Sequence, residues 1–292
     1  MRIFPSFNGA IDYTSKLMRD ISYEVRPSRW QSSDVSKRPE ALMRETLNVS
    51  FQVSLGWNEN LEHYRKDIQP NLPWADDHFL ERVSGKPLNP GVQWANWPWA
   101  LSADKFRTEN GGKFSHTYME RYWPKMAHEP TLPGSSEYSD SGIYLGENKW
   151  PRRGIRYEYG DLNDVVNHLL ADPGSRQAYL PVWFPEDTGV VHGERVPCSL
   201  GYHWILRGEH LHTTYYIRSC DFYRHFRDDL YLTARLTLWL LDQLREREIN
   251  REAGDKPAGR SDWQQARAGL FTFHCVSMHM FINDWNKLFG GK

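Results

Sequence analysis

From Leu230 to Leu244, inside DLYLTARLTLWLLDQLRERE, the chain carries a helical pattern that is apolar on nearly every face. Such a helix has no side to give to water and belongs at the centre of a fold. The segment just before it, VPCSLGYHWILRGEHLHTTYYIRSCD, reads as two strands joined by the turn Arg207-Gly208-Glu209-His210, an antiparallel hairpin. A hairpin that runs into a buried helix needs a sheet for that helix to pack on. The expected class is therefore α+β, a mixed or mostly antiparallel sheet against helices.

The rest of the chain agrees. Alternation of Leu47, Val49, Phe51, Val53 and Leu55 predicts a strand within 41–56. WADDHFLERVS predicts a short helix stopped by Gly85 and Pro87, and a tryptophan-rich loop with Trp94, Trp97 and Trp99 follows. Asn163 is expected to cap a helix with a Val165, Val166, Leu169 and Leu170 stripe, ended by Asp172-Pro173-Gly174. AYLPVWFPED and GLFTFHCVSMHMFINDW read as strands, and 247–263 as a charged loop. The 292 residues suit one domain over 1–292, with 103–153 an elaborated polar region of it.

A net charge of -1 gives no basic field for nucleic acid or an anionic membrane, and no apolar stretch is long enough to span a bilayer. Three cysteines, Cys198, Cys220 and Cys275, form no disulfide framework and no metal-binding spacing, which suits a reducing compartment. The start, MRIFPSFNGAIDY, lacks the apolar core of a signal peptide. The expectation is a cytoplasmic protein without a metal.

Cys198, after Pro197, is the candidate for chemistry. An arbitrary cysteine is most often a small buried hydrophobe, whereas a nucleophile needs a cation beside its thiolate. In a hairpin turning at Gly208, Arg218 lies opposite Cys198 to within a residue or two, with Ser219 and Asp221 adjacent. Arg218 and Ser219 can clamp a phosphate, and Arg176 is a second phosphate candidate. Read singly, His279 is a structural histidine and Asp76, Asp77 and Glu81 a solvated helix face.

In combination these residues resemble the thymidylate synthase superfamily. The family order of Asp-Pro-x-Ser-Arg, Trp-x-Pro, Pro-Cys, Arg-Ser-x-Asp and His-x-Tyr is met by Asp172-Pro173-Gly174-Ser175-Arg176, Trp183-Phe184-Pro185, Pro197-Cys198, Arg218-Ser219-Cys220-Asp221 and His279-Met280-Phe281. The match runs over residues 110–285, about 60% of the chain. The resemblance implies a mixed sheet with helices and a homodimer through sheet faces with shared active sites. It implies attack of Cys198 on C6 of a pyrimidine nucleotide monophosphate and transfer of a one-carbon unit from 5,10-methylenetetrahydrofolate to C5. Arg218 and Ser219 would hold the 5′-phosphate, with Arg176 reaching it from the partner subunit and Arg38 as the N-terminal phosphate arginine. His279 would contact the sugar, Asp221 would lie at the pyrimidine–folate junction, and Trp97 would stack on the pterin. Tyr118 resembles the family tyrosine near the cysteine, and Asp77, with Glu81 as the other candidate, the early acid or base.

Where the family reads uracil with an asparagine, eleven residues after the arginine of Arg-Ser-x-Asp, this chain has Asp229. A carboxyl can accept from the cytosine amine and, when protonated, donate to N3. Phage deoxycytidylate hydroxymethylases carry an aspartate here, in a Phe-Arg-Asn-Asp similar to Phe226-Arg227-Asp228-Asp229. That branch adds water to the exocyclic methylene and serves DNA modification. The expected reaction is conversion of dCMP to 5-hydroxymethyl-dCMP. Methyl transfer to dUMP or dCMP, hydroxymethylation of dUMP or CMP, and a non-catalytic homologue are the alternatives. The family pattern is altered at Ser199, Gln177 and Phe281, and only eleven residues follow Phe281, so the expected site is wetter than one closed by the family's longer tail.

Overall fold

The computed structural model describes residues 1–30, 33–56, 59–101, 112–126, 160–188, 195–250 and 263–290. Most of 103–153, and the centre of the charged loop expected at 247–263, lie outside the described residues.

The molecule is a mixed α+β structure built on a seven-stranded sheet. Its strands are β1 (Arg2–Phe4), β2 (Tyr23–Val25), β5 (Met43–Ser54), β6 (Tyr179–Pro181), β7 (Ser199–Arg207), β8 (His210–Asp221) and β9 (Arg267–Phe281). β3 (Arg29–Trp30) and β4 (Ser33–Asp34) form a separate ribbon. The order across the sheet is β1-β5-β9-β8-β7-β6, with β2 also pairing β5. β9, the last strand in sequence, thus lies in the middle, antiparallel to β5 and parallel to β8.

Seven helices accompany the sheet among the described residues: α1 (Phe7–Asp20), α2 (Leu61–Ile68), α3 (Trp74–Arg82), α4 (Tyr118–Tyr122), α5 (Leu162–Ala171), α6 (Phe226–Ile249) and α7 (Ile282–Phe289). The all-apolar segment is α6, the crossover between parallel β8 and β9. Leu230, Leu236, Leu240, Leu241 and Leu244 are buried, and Phe226 packs edge-on to Phe51 and Phe273 of the sheet. The opposite face, with Ser50, Gln52, Tyr216 and His274, is only half-buried, and Val276 and Tyr179 are exposed. No helix among the described residues is long and apolar enough to cross a membrane.

Several boundaries differ from expectation for local reasons. Asp161, not Asn163, caps α5, because Asp161 and Asp164 each accept from the other's backbone N–H; Asn163 accepts from Arg247 instead. In β5 the alternation inverts at Asn48, whose φ of 55° turns the chain, so Leu47 is exposed and Thr46 buried. The strand expected at AYLPVWFPED stops at Pro181, and Pro185–Asp187 is a 3-10 turn. The final strand ends at Phe281, where Ile282 starts α7.

Candidate functional site

The hairpin turns at Gly208 (φ 57°), and Arg207 pairs with His210. The register slips by one residue between Gly201 and Ser199, so Ser199 pairs with Ile217. The Arg218 N–H therefore donates to the Cys198 carbonyl at 2.9 Å, bringing the two residues together as expected. The Arg218 guanidinium then grips the segment that presents the thiol. Nε donates to Pro197 O at 2.8 Å and Nη2 to Val196 O at 3.2 Å, over the Trp183 ring at 5.4 Å. Cys198 is the exposed cysteine, whereas Cys220 and Cys275 are buried.

Cys198 opens into a cavity of about 760 Å³ at the end of the sheet where β8 and β9 finish. Parallel pairing sets Ser219 beside Ser277 and Asp221 beside His279 there, and antiparallel β5 adds Glu45 beside His279. Ser219 Oγ is 3.4 Å from His279 Nδ1. Asp221 Oδ1 accepts from the backbone of Tyr223 and Arg224, which turns the chain out of β8 towards α6. α6 delivers Asp229 into the cavity, where the Cys220 thiol donates to Oδ2 at 3.5 Å.

The electrostatics follow from desolvation. Although its surface is reachable, Cys198 is ringed by protein, and burial raises its thiol above the usual value; Arg218 and Arg195 pull it back, against Asp229 and Asp221. Burial pushes Asp229 up to about 7, opposed by Arg82 and reinforced by Asp228. Tyr118 is held as a phenol by burial, with Cys198 and Asp229 adding to the shift. Ser199, buried behind Cys198, is 2.6 Å from the Tyr215 hydroxyl and donates to Tyr118 at 3.3 Å, so a chain of hydroxyls runs beside the thiol.

Of the residues singled out from sequence, the cavity walls include Cys198, Tyr118, Arg218, Ser219, Asp221, Asp229, His279 and Trp97. They do not include Asp77, Arg38 or Arg176. Asp77 and Glu81 lie off the strip of α3 that faces the cavity, which carries Trp74, His78 and Arg82 at i, i+4 spacing. Glu81 instead accepts from the Gln93 N–H at 2.9 Å and faces His78 Nδ1 at 3.5 Å. Arg38 is exposed on the turn before β5, while Arg29 reaches the cavity wall. Arg176 is exposed at the surface beside His203. Trp97 stacks on His225, 5.0 Å between centroids at 21°.

His78, Arg82, Arg195 and His225 are cavity residues that sequence reasoning passed over. For the first two a signal existed, since the helical strip through Trp74 is readable from spacing. No three His, Cys, Asp or Glu side chains among the described residues are grouped to hold a metal.

No protein-family model matches the chain. It is similar to the "Thymidylate synthase" of Rhizorhabdus wittichii, 26% identical over 193 residues, 62% of this chain and 56% of that protein. It is also similar to the "Putative thymidylate synthase" of Methanosarcina barkeri, 25% identical over 181 residues, 57% of this chain and 71% of that protein. The aligned part thus spans little more than half of the Rhizorhabdus protein, and the mixed α+β fold is compatible with this similarity.

Proposed function

We propose that this protein transfers a one-carbon unit to C5 of a pyrimidine nucleotide through attack of Cys198 on C6, and that it acts on dCMP to give 5-hydroxymethyl-dCMP. The observation that carries the reading is the meeting of Cys198, Arg218 and Asp229 in one cavity. Arg218 fixes the thiol's backbone and supplies the cation that favours a thiolate. Ser219 and Arg218 would receive the phosphate, with His279 on the sugar. Asp229, near 7, is a carboxyl that at neutral pH can accept from the cytosine amine and donate to N3. Tyr118, kept protonated, would donate beside the thiol.

In the balanced reaction the Cys198 sulfur bonds to C6, C5 gains the carbon and loses its proton, and water adds to the exocyclic methylene as the sulfur leaves. Methylenetetrahydrofolate would supply the carbon at the oxidation level of formaldehyde and leave as tetrahydrofolate. The cavity fits a flat ring system: it falls in the upper part of the ~300–1,000 Å³ range of ligand pockets, and Trp94, Trp97 and Phe114 are among its walls. A ring placed at Trp97 also meets His225. Two copies joined through the half-buried sheet face would bring Arg176 of one to the phosphate site of the other.

Incubation of the protein with methylenetetrahydrofolate and either dCMP or dUMP, followed by mass spectrometry, tests this. The expected product is dCMP heavier by the elements of formaldehyde, with tetrahydrofolate released. Cys198→Ala is expected to abolish turnover while leaving nucleotide binding in place, as calorimetry would show. The names of the two relatives favour a second reading, hydride-terminated methylation of dUMP. Dihydrofolate formed with dUMP alone would establish it and sink the cytosine reading.

A further inference from the structure

One cation of the cavity has no counterpart in that scheme. Arg82 is 6% exposed, and no carboxylate among the described residues comes within ion-pair distance of it. Burying a guanidinium without an anion costs several kcal/mol, so its place needs a reason. The surroundings fix it firmly. Arg82 Nε donates to His78 Nε2 at 3.0 Å, which makes Nε2 the lone-pair nitrogen and leaves the ring proton on Nδ1, directed at Glu81 Oε2. Glu81 is itself pinned by the Gln93 N–H, and Trp74 lies flat on the imidazole, 4.9 Å away at 14°. The guanidinium rests over the Tyr118 ring at 4.3 Å, and its charge acts on Asp229. Burial, with Arg82 adding to it, lowers His78 to about 4, so the imidazole is a neutral acceptor at physiological pH.

We infer that Arg82 is a base-recognition residue, locked by the positioning pair His78 and Glu81, which donates to a carbonyl oxygen of the pyrimidine while Asp229 meets N3 and the amine. Every pyrimidine base offers such acceptors, and Arg82 is a donor with no acceptor function. The inference rests on the nucleotide reading above and adds to it the donor that satisfies an acceptor on the ring's polar edge.

Calorimetric titration of dCMP and of deoxyribose 5-phosphate, which has the phosphate and sugar but no base, tests it. Arg82→Met is expected to weaken dCMP binding roughly 10- to 100-fold and leave the base-free phosphate unchanged. Arg82→Lys, which keeps charge but loses the fork, serves if the methionine variant is unfolded, and is expected to lose the same preference. His78→Gln retains an acceptor for Nε and should bind as wild type, whereas His78→Leu should behave as Arg82→Met. Equal losses for both ligands, or none for either, would overturn the role of Arg82. Equal behaviour of the two His78 variants would overturn the positioning. Wild-type protein that binds dCMP no better than the base-free phosphate would instead overturn the nucleotide reading itself.

Discussion

Asp229 ties the proposed base selectivity to the stability of the fold. Its carboxyl is raised from the usual value near 4 to about 7 by burial. Between those values the folded protein holds a proton that the unfolded chain has released, so this residue's contribution to stability falls as pH rises through the window. Asp229→Asn removes that dependence. The variant should melt higher than wild type at pH 8 and show little difference at pH 4, as thermal denaturation at both values would reveal. The same change offers an amide in place of the carboxyl, which can donate to O4 and accept from N3–H of uracil. We expect kcat/KM for dCMP to fall by about 10- to 100-fold and dUMP to gain relative to it. A preference unchanged by this substitution would exclude Asp229 from base reading. The proposed selectivity was drawn from the sequence, from a carboxyl at the position where the family resemblance expects an asparagine. The ionisation was not, since it comes from burial against Cys220, Asp228 and Arg82, which belong to three separate elements.

At the scale of elements, the β7–β8 hairpin places the thiol, and its bulge does the final adjustment. The pairing of Cys198 with Arg218 could be read from the turn at Gly208, although the turn alone leaves the register open by a residue. The slip between Gly201 and Ser199 settles it. Gly201, at the edge of the slip, lets β6 pack closely against β7. A methyl group there would meet the Tyr179 ring and lie 2.7 Å from Leu180 O. Gly201→Ala should therefore cost about 1–3 kcal/mol in denaturant unfolding and disturb the thiol, slowing alkylation of Cys198 by a nucleotide-sized reagent. Wild-type stability and alkylation in this variant would mean the bulge tolerates a side chain. α3 taught the opposite lesson. Its existence and limits followed from composition and from Gly85, but the face it presents depends on packing against Tyr118, Trp123 and the tryptophan-rich turn. Choosing between Asp77 and Glu81 by sequence therefore missed His78 and Arg82, which point inward.

For the molecule as a whole, the α+β class was written in the all-apolar α6 and the hairpin before it, whereas the sheet order was not. Nothing local tells β9 to enter between β5 and β8. The half-buried outer face, with a row of Ser50, His274 and Tyr216 and the exposed Val276, is where a second copy is expected to sit. Sedimentation should then give twice the 34.4 kDa chain mass, and Val276→Glu should yield monomers that lose activity together with the partner's Arg176. A monomeric wild type with full activity would remove the shared-site arrangement.

The central position of β9 has a consequence for the protein's synthesis. Until the segment Arg267–Phe281 has left the ribosome, the long edges of β5 and β8 that it will join have no partner, and most of the sheet's backbone groups wait for it. Two open strand edges on one nascent chain are an invitation to pair with another. The strand that completes the candidate site is thus also the one whose late arrival sets the period in which the newly made chain is most prone to aggregate.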